Sequence, residues 1–168
     1  DQFLKSKDVY SGQGAEQLID LKVIEFVDNI FYPSGFISIK DIYLILDDGT
    51  IAPGFPYVGD SDFRSEPAII QHNGQKMILM GSKDGTLYSI NESGELIFSI
   101  ETSDDIMASP SILSTGGYEP MIFFGNNDGE VHVIYLDGSY VQGWPITFPE
   151  SIVSSPVRGS KYNLSLVS

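Results

Sequence analysis

Cysteine is absent from the chain, which excludes disulfides, thiolate metal sites and thiol nucleophiles together. Positive charge is scarce: nine Lys and Arg stand against 23 Asp and Glu, a formal net charge of −14. So acidic a chain repels phosphate backbones and anionic lipid, and nucleic acid is not expected as a partner. No apolar run approaches the ~20 residues that a membrane-spanning helix needs. Histidine is limited to His72, in a polar Gly/Asn turn, and His132, inside the run EVHVIY. A lone histidine at an alternating strand position reads as a structural residue rather than a base. There is no G-x-S-x-G, no phosphate-binding glycine loop and no H-E-x-x-H. The expectation is a chain with no catalytic residues, no cofactor site and no metal site of its own.

What is present suits a folded β protein. The apolar fraction is 42% and the charged fraction 19%, outside the composition of disordered chains. Nine Tyr and ten Phe fit pleated, half-buried surfaces. At 168 residues one domain is the default.

The chain is organised around a stretch that it states twice. Gly81–Tyr88 reads GSKDGTLY, and 44 residues later GNNDGEVH begins at Gly125. Gly81 matches Gly125, Asp84–Gly85 matches Asp128–Gly129, and Gly94 matches Gly138. Asp-Gly between apolar runs marks a tight hairpin turn, because glycine takes positive φ at little steric cost. Each copy holds two such turns nine residues apart, leaving one strand of about six residues between them: TLYSIN, then EVHVIY. An apolar strand precedes each pair, MILM or MIFF, and another follows, ELIFSI or YVQGWPI. Four short antiparallel strands repeated every 44 residues predict an all-β fold of β-propeller blades. The expected blades are 65–104 and 108–148, with a partial blade at 41–59 and a truncated one at 153–168. Residues 1–40 read as a poorly defined lead-in or degenerate blade, in which Leu18–Val27 favours a strand and Phe31–Gly35 a turn. FISI and IYLIL follow as strand-like runs. The chain opens on Asp1 and its last repeat stops short of the next matched glycine. The expectation is an open arc of about three to four blades from a longer parent.

The run from Gly81 to Phe98 resembles the repeat of PQQ-like, quinoprotein-type propellers, and Ser109–Pro110 and Ser154-Ser155-Pro156 resemble the opening of the following repeat. The variant from Leu136 to Pro145 looks more like the FG-GAP or VCBS-type repeats of bacterial surface proteins, and Gly54-Phe55-Pro56 matches its Gly143-Trp144-Pro145. The resemblance covers residues 41–168 and implies the fold far more than any activity. FG-GAP calcium loops need several carboxylates in quick succession. The matching segments 71–76, 114–119 and 158–161 hold one carboxylate between them, Glu119. Quinoprotein dehydrogenases hold the cofactor and a calcium ion over a complete ring with an Asp base, an Arg or Lys and stacking aromatics, a constellation not seen in these residues.

Four acidic residues remain as candidate contacts at the loop end of the blades: Asp60, Asp62, Asp104 and Asp105. Phe55, Phe98 and Trp144 fall at equivalent late positions. The resemblance implies that Trp144 packs between adjacent blades, at a cost of about 3–5 kcal/mol on truncation, rather than forming a sugar-stacking platform. Asn91 and Asn163 begin N-x-S sequons. Functionally, the residues point to a non-catalytic scaffold on an exported, periplasmic or cell-surface protein of bacterial type, holding a protein or glycan partner. The alternative is a propeller accessory to a hydrolase or quinoprotein-like enzyme whose catalytic part lies outside this chain.

Overall fold

A computed structural model describes residues 40–46, 48–114 and 119–156, and the backbone of strands at 22–26, 157–158 and 164–165. The expected turn at 31–35, the FISI run, the loop at 115–118 and Asn163 lie outside the described residues. Every regular element described is a strand. The first sheet is β1 (Lys22–Phe26), β2 (Asp41–Ile45) and β3 (Tyr57–Val58), in the order β1-β2-β3. β1 runs antiparallel to β2 in a register placing Lys22 opposite Ile45 and Phe26 opposite Asp41. The sheet thus reaches back beyond residue 41, into the segment expected to be poorly defined.

The second sheet is β4 (Ala68–His72), β5 (Gln75–Gly81), β6 (Thr86–Asn91) and β7 (Leu96–Glu101), paired in chain order. The third repeats it with β8 (Ser111–Leu113), β9 (Met121–Gly125), β10 (Glu130–Tyr135) and β11 (Ile146–Thr147). A fourth pair joins β12 (Val157–Arg158) to β13 (Leu164–Ser165). These are the antiparallel four-stranded units that the matched glycines imply, and the fold is that of β-propeller blades.

The outer strands differ between repeats. β7 runs six residues, with a bulge where Ser89 and Ile90 pair with Phe98 and Leu96. β11 keeps two residues, because Gly143-Trp144-Pro145 interrupts the span and proline has no N–H for the ladder. Gly54-Phe55-Pro56 interrupts the first sheet ahead of β3 in the same way, and both aromatic–proline bonds are cis.

The core lies between sheets. Alternate side chains of a strand face opposite ways, so a strand sandwiched between two sheets needs apolar residues at every position. Hence the unbroken MILM of β5. Ile78 and Met80 join Tyr88 and Ile90 in a cluster with Ile42, Leu44 and Phe63 on the first-sheet side. Leu79 and Leu87 face the other way, into a cluster with Ile122, Phe124 and Ile134 of the third sheet. Each such side chain contributes about 1.5–3 kcal/mol on full burial.

Candidate functional site

The turns β5–β6 and β9–β10 lie at one end of the blades, together with the segments that link one blade to the next. In the first turn, the Ser82 hydroxyl accepts from Thr86 N–H at 3.1 Å, and its one proton is shared between the Thr86 carbonyl at 2.9 Å and the Asp84 carboxylate. Asn126 takes the Ser82 position in the second turn, and its Oδ1 accepts from Glu130 N–H at 2.9 Å. Gly85 has φ +81°, and its N–H donates to the Ser82 carbonyl at 3.2 Å. Its own carbonyl accepts from Thr102 N–H at 2.9 Å, which draws the segment after β7 back over the turn.

The four candidate aspartates fall on these linking segments and serve the scaffold with their backbone. The Asp62 carbonyl accepts from Lys83 N–H at 2.8 Å, and the Asp105 carbonyl accepts from Asn127 N–H at 3.0 Å, the same bond one repeat on. The Asp60 carbonyl accepts from Lys40 Nζ at 3.3 Å. Asp104 Oδ1 accepts from Asp105 N–H at 2.8 Å, and its carbonyl accepts from Thr102 Oγ1 at 3.1 Å. Among the described residues no group of three or more His, Asp or Glu is placed to hold a metal ion.

Asp105 stands apart from the other three. Its Oδ2 lies 3.8 Å from Arg64 Nε, while its Oδ1 is buried without a hydrogen-bond partner. Burial raises its pKa above the usual carboxylate value; Arg64 opposes this and the neighbouring Asp104 adds to it. Tyr88 is likewise raised, first by burial and then by the charge of Asp84.

A second polar cluster, built around the histidine that reads as structural in the sequence, bridges the second and third sheets. His132 is 3% exposed and stacks on Phe124 with ring centroids 4.7 Å apart. Its Nδ1 lies 2.9 Å from the Tyr140 hydroxyl, and its Nε2 lies 3.3 Å from Glu130 Oε2. Although that Nε2 makes no well-aligned hydrogen bond, the closeness of the carboxylate favours the tautomer with its proton there. The same Glu130 oxygen accepts from Asn126 Nδ2 at 2.7 Å and from Ser103 Oγ at 2.8 Å. Burial lowers the His132 pKa, with Glu130 acting against it. Burial would raise Glu130, but the bonds from Ser103 and Asn126 together with His132 bring it below its usual value. The signal available in the sequence was the i, i+2 pair Glu130 and His132 on one strand face; Ser103 and Tyr140 are too distant in the chain to be read with it.

Trp144 stands one repeat on from Phe98, and the fourth-sheet side chains on its far side lie outside the described residues. Trp144 is half-buried and packs edge-to-face on Phe123 of its own sheet, with centroids 6.4 Å apart. Between the second and third blades the contact is made by Phe98, which joins the second core cluster and underlies Gly138 of the next blade. Phe55 packs against the first cluster. The side chain of Asn91 is engaged locally, with Oδ1 accepting from Ser93 and Glu95 N–H groups and Nδ2 donating to Glu95.

No protein-family model matches the chain, and no curated protein sequence matches it. Solved structures do. BamB from Moraxella catarrhalis superposes with a TM-score of 0.59 at 16% identity, over 84% of this chain and 38% of that one. BBS1N, in complex with ARL6DN, superposes with a TM-score of 0.54 at 17% identity, over 86% of this chain and 42% of that one. This chain therefore spans less than half the length of either. Likeness at such identity establishes a fold and nothing finer: the chain is all-β and built of β-propeller blades.

Proposed function

We propose that this chain is a non-catalytic binding module: propeller blades of an exported or cell-surface protein that hold a protein or glycan partner. The observation that carries this reading is how the Ser103, Glu130 and His132 cluster is wired. Ser103, Glu130 and His132 supply the residue types of hydrolytic chemistry, yet Ser103 Oγ bonds the carboxylate and not the imidazole. A serine nucleophile needs a base within hydrogen-bond reach of its proton, and here the histidine faces Tyr140 on one side and Glu130 on the other. These groups tie one blade to the next.

BBS1N in complex with ARL6DN is a precedent for a protein partner on this fold, and the half-exposed ring of Trp144 keeps a glycan within the proposal. The surface location rests on the resemblance of Leu136–Pro145 to repeats of bacterial surface proteins. Panning of a peptide-display library alongside a glycan array tests the reading. The expected result is a defined ligand that binds saturably in about the micromolar range. Absence of saturable binding in both formats would overturn it, as would turnover of an ester, glycoside or alcohol that Ser103→Ala abolishes.

A further inference from the structure

Three linking segments share one pattern. Phe63-Arg64 precedes Pro67, Ile106-Met107 precedes Pro110, and Ile152-Val153 precedes Pro156, at the same spacing. The first residue of each pair is buried. Ile106 and Ile152 lie so close over Gly81 and Gly125 that a Cβ on either glycine would collide with them. The register then turns the second residue outward. That position holds Arg64 in one repeat, but Met107 and Val153 in the next two, 47% and 52% exposed.

The β9–β10 turn gathers the segments that carry these residues. Asn127 sits between them: its amide nitrogen lies 3.6 Å from the Met107 sulfur, and its carbonyl accepts from Ser151 Oγ at 2.6 Å. Phe148, 39% exposed, is brought to the same turn by its N–H, which donates to the Gly129 carbonyl at 2.8 Å. Single exposed apolar residues are ordinary, but three at one end of a sheet form a patch of the kind that marks an interaction site. A thioether among them suits a surface that adapts to its partner.

The charge around the patch selects the occupant. Arg64 and Lys83 face Asp105 at the second-sheet edge, but between Lys83 and Arg158 the chain contains eleven Asp and Glu and no Lys or Arg. Asp128 and Glu150 are exposed beside the patch, and Asp104 is half-buried. Two copies of this face would repel, as would a nucleic acid or an anionic membrane. A cationic segment meets complementary potential.

We propose that the loop end of the third sheet, where Met107, Phe148 and Val153 stand among Asp104, Asp128 and Glu150, docks a lysine- or arginine-rich amphipathic segment of another protein. This deepens the binding-module reading and rests on it.

The test uses three synthetic helical peptides: one of Leu and Lys in amphipathic pattern, one with Glu replacing Lys, and one with Ser replacing Leu. Fluorescence anisotropy should show saturable binding of the Leu/Lys peptide alone, weakening as salt shortens the reach of the charges. Met107→Ser with Val153→Ser should reduce that affinity at least about tenfold at unchanged melting temperature. Leu96→Ser with Ile97→Ser, at exposed positions on β7, should leave it unaltered. Loss of binding in the β7 variant instead would overturn this surface while sparing the binding-module reading. Equal binding of the Ser/Lys peptide would reduce the interaction to charge alone and overturn the proposal. So would absence of binding, or a wild-type dimer that Met107→Ser with Val153→Ser converts to monomer.

Discussion

Position 88 of one blade is a tyrosine and the matching position 132 of the next is a histidine. Both face the preceding sheet. Tyr88 packs edge-to-face on Phe63 at 5.5 Å and on Tyr57 at 6.0 Å, whereas His132 lies flat on Phe124 and bonds Tyr140. The exchange makes the interface between the second and third sheets titratable. Because burial sets the folded pKa of His132 below its unfolded value of 6.5, the unfolded chain takes up the proton first as pH falls through that value. Stability should therefore decline between about pH 7.5 and pH 5.5. Glu130, lowered from 4.5 in the folded state, adds a further loss in the same direction below that value. Melting temperatures recorded across this range should fall for the wild type and stay level between pH 7.5 and 5.5 for His132→Gln; an identical slope in both would show that His132 is not the group. Trp144 permits a second prediction. Among the described residues the half-buried ring has one aromatic neighbour, Phe123, and these contacts give Trp144→Ala an expected cost of about 1–2 kcal/mol, well under the range for a fully buried aromatic. Chemical denaturation measures it, and a loss above about 3 kcal/mol would place the ring in a core that the described contacts do not include.

Turns carry most of the information at the scale of elements, and not every turn glycine is equivalent. Gly49 and Gly85 both have positive φ, +83° and +81°. A Cβ at Gly49 would meet nothing within 4 Å, but at Gly85 it would meet the Asp104 carbonyl at 2.7 Å and the Thr102 carbonyl at 3.0 Å. Gly49→Ala should cost about 1–2 kcal/mol, the penalty of the left-handed backbone. Gly85→Ala should cost about 1–3 kcal/mol more, because the linking segment above it must move. Equal losses in urea titrations of the two variants would contradict the close approach. This also explains how much of the fold was legible. Asp-Gly and Ser-Gly pairs at a fixed spacing announce hairpins locally, so β5, β6, β9 and β10 could be read from the chain directly. The outer strands could not: ELIFSI and YVQGWPI looked equivalent, and only the structure shows Pro145 leaving β11 with two paired residues. The polar cluster was illegible for another reason. Ser103 reaches Glu130 from 27 residues away, and no local pattern encodes that contact.

At the scale of the whole molecule, stability depends on the surfaces between sheets more than on any sheet alone. β5 and β6 present Ile78, Met80, Tyr88 and Ile90 to one neighbour and Leu79 and Leu87 to the other, so the second sheet keeps one apolar face uncovered unless both neighbours are in place. Polar contacts also run from repeat to repeat: Arg64 meets Asp105, Asn126 meets Ser103, and the Ser111 hydroxyl bonds the Pro156 carbonyl ahead of β12. In such an array each repeat draws its stability from its nearest neighbours. A cavity cut at one boundary should then loosen both sheets that share it. Leu87, wholly buried on the third-sheet side, is the position that separates this from independent folding. Leu87→Ala should cost about 2–5 kcal/mol. Amide hydrogen exchange should speed up in β9 and β10, which carry no substitution, as well as in β5 and β6. The first sheet, which contacts the opposite face of β5 and β6 through Ile42 and Leu44, should be accelerated less than the third. If exchange in β9 and β10 stayed at its wild-type rate while β5 and β6 opened, the sheets would be separate folding units and the boundary between them a contact without energetic weight.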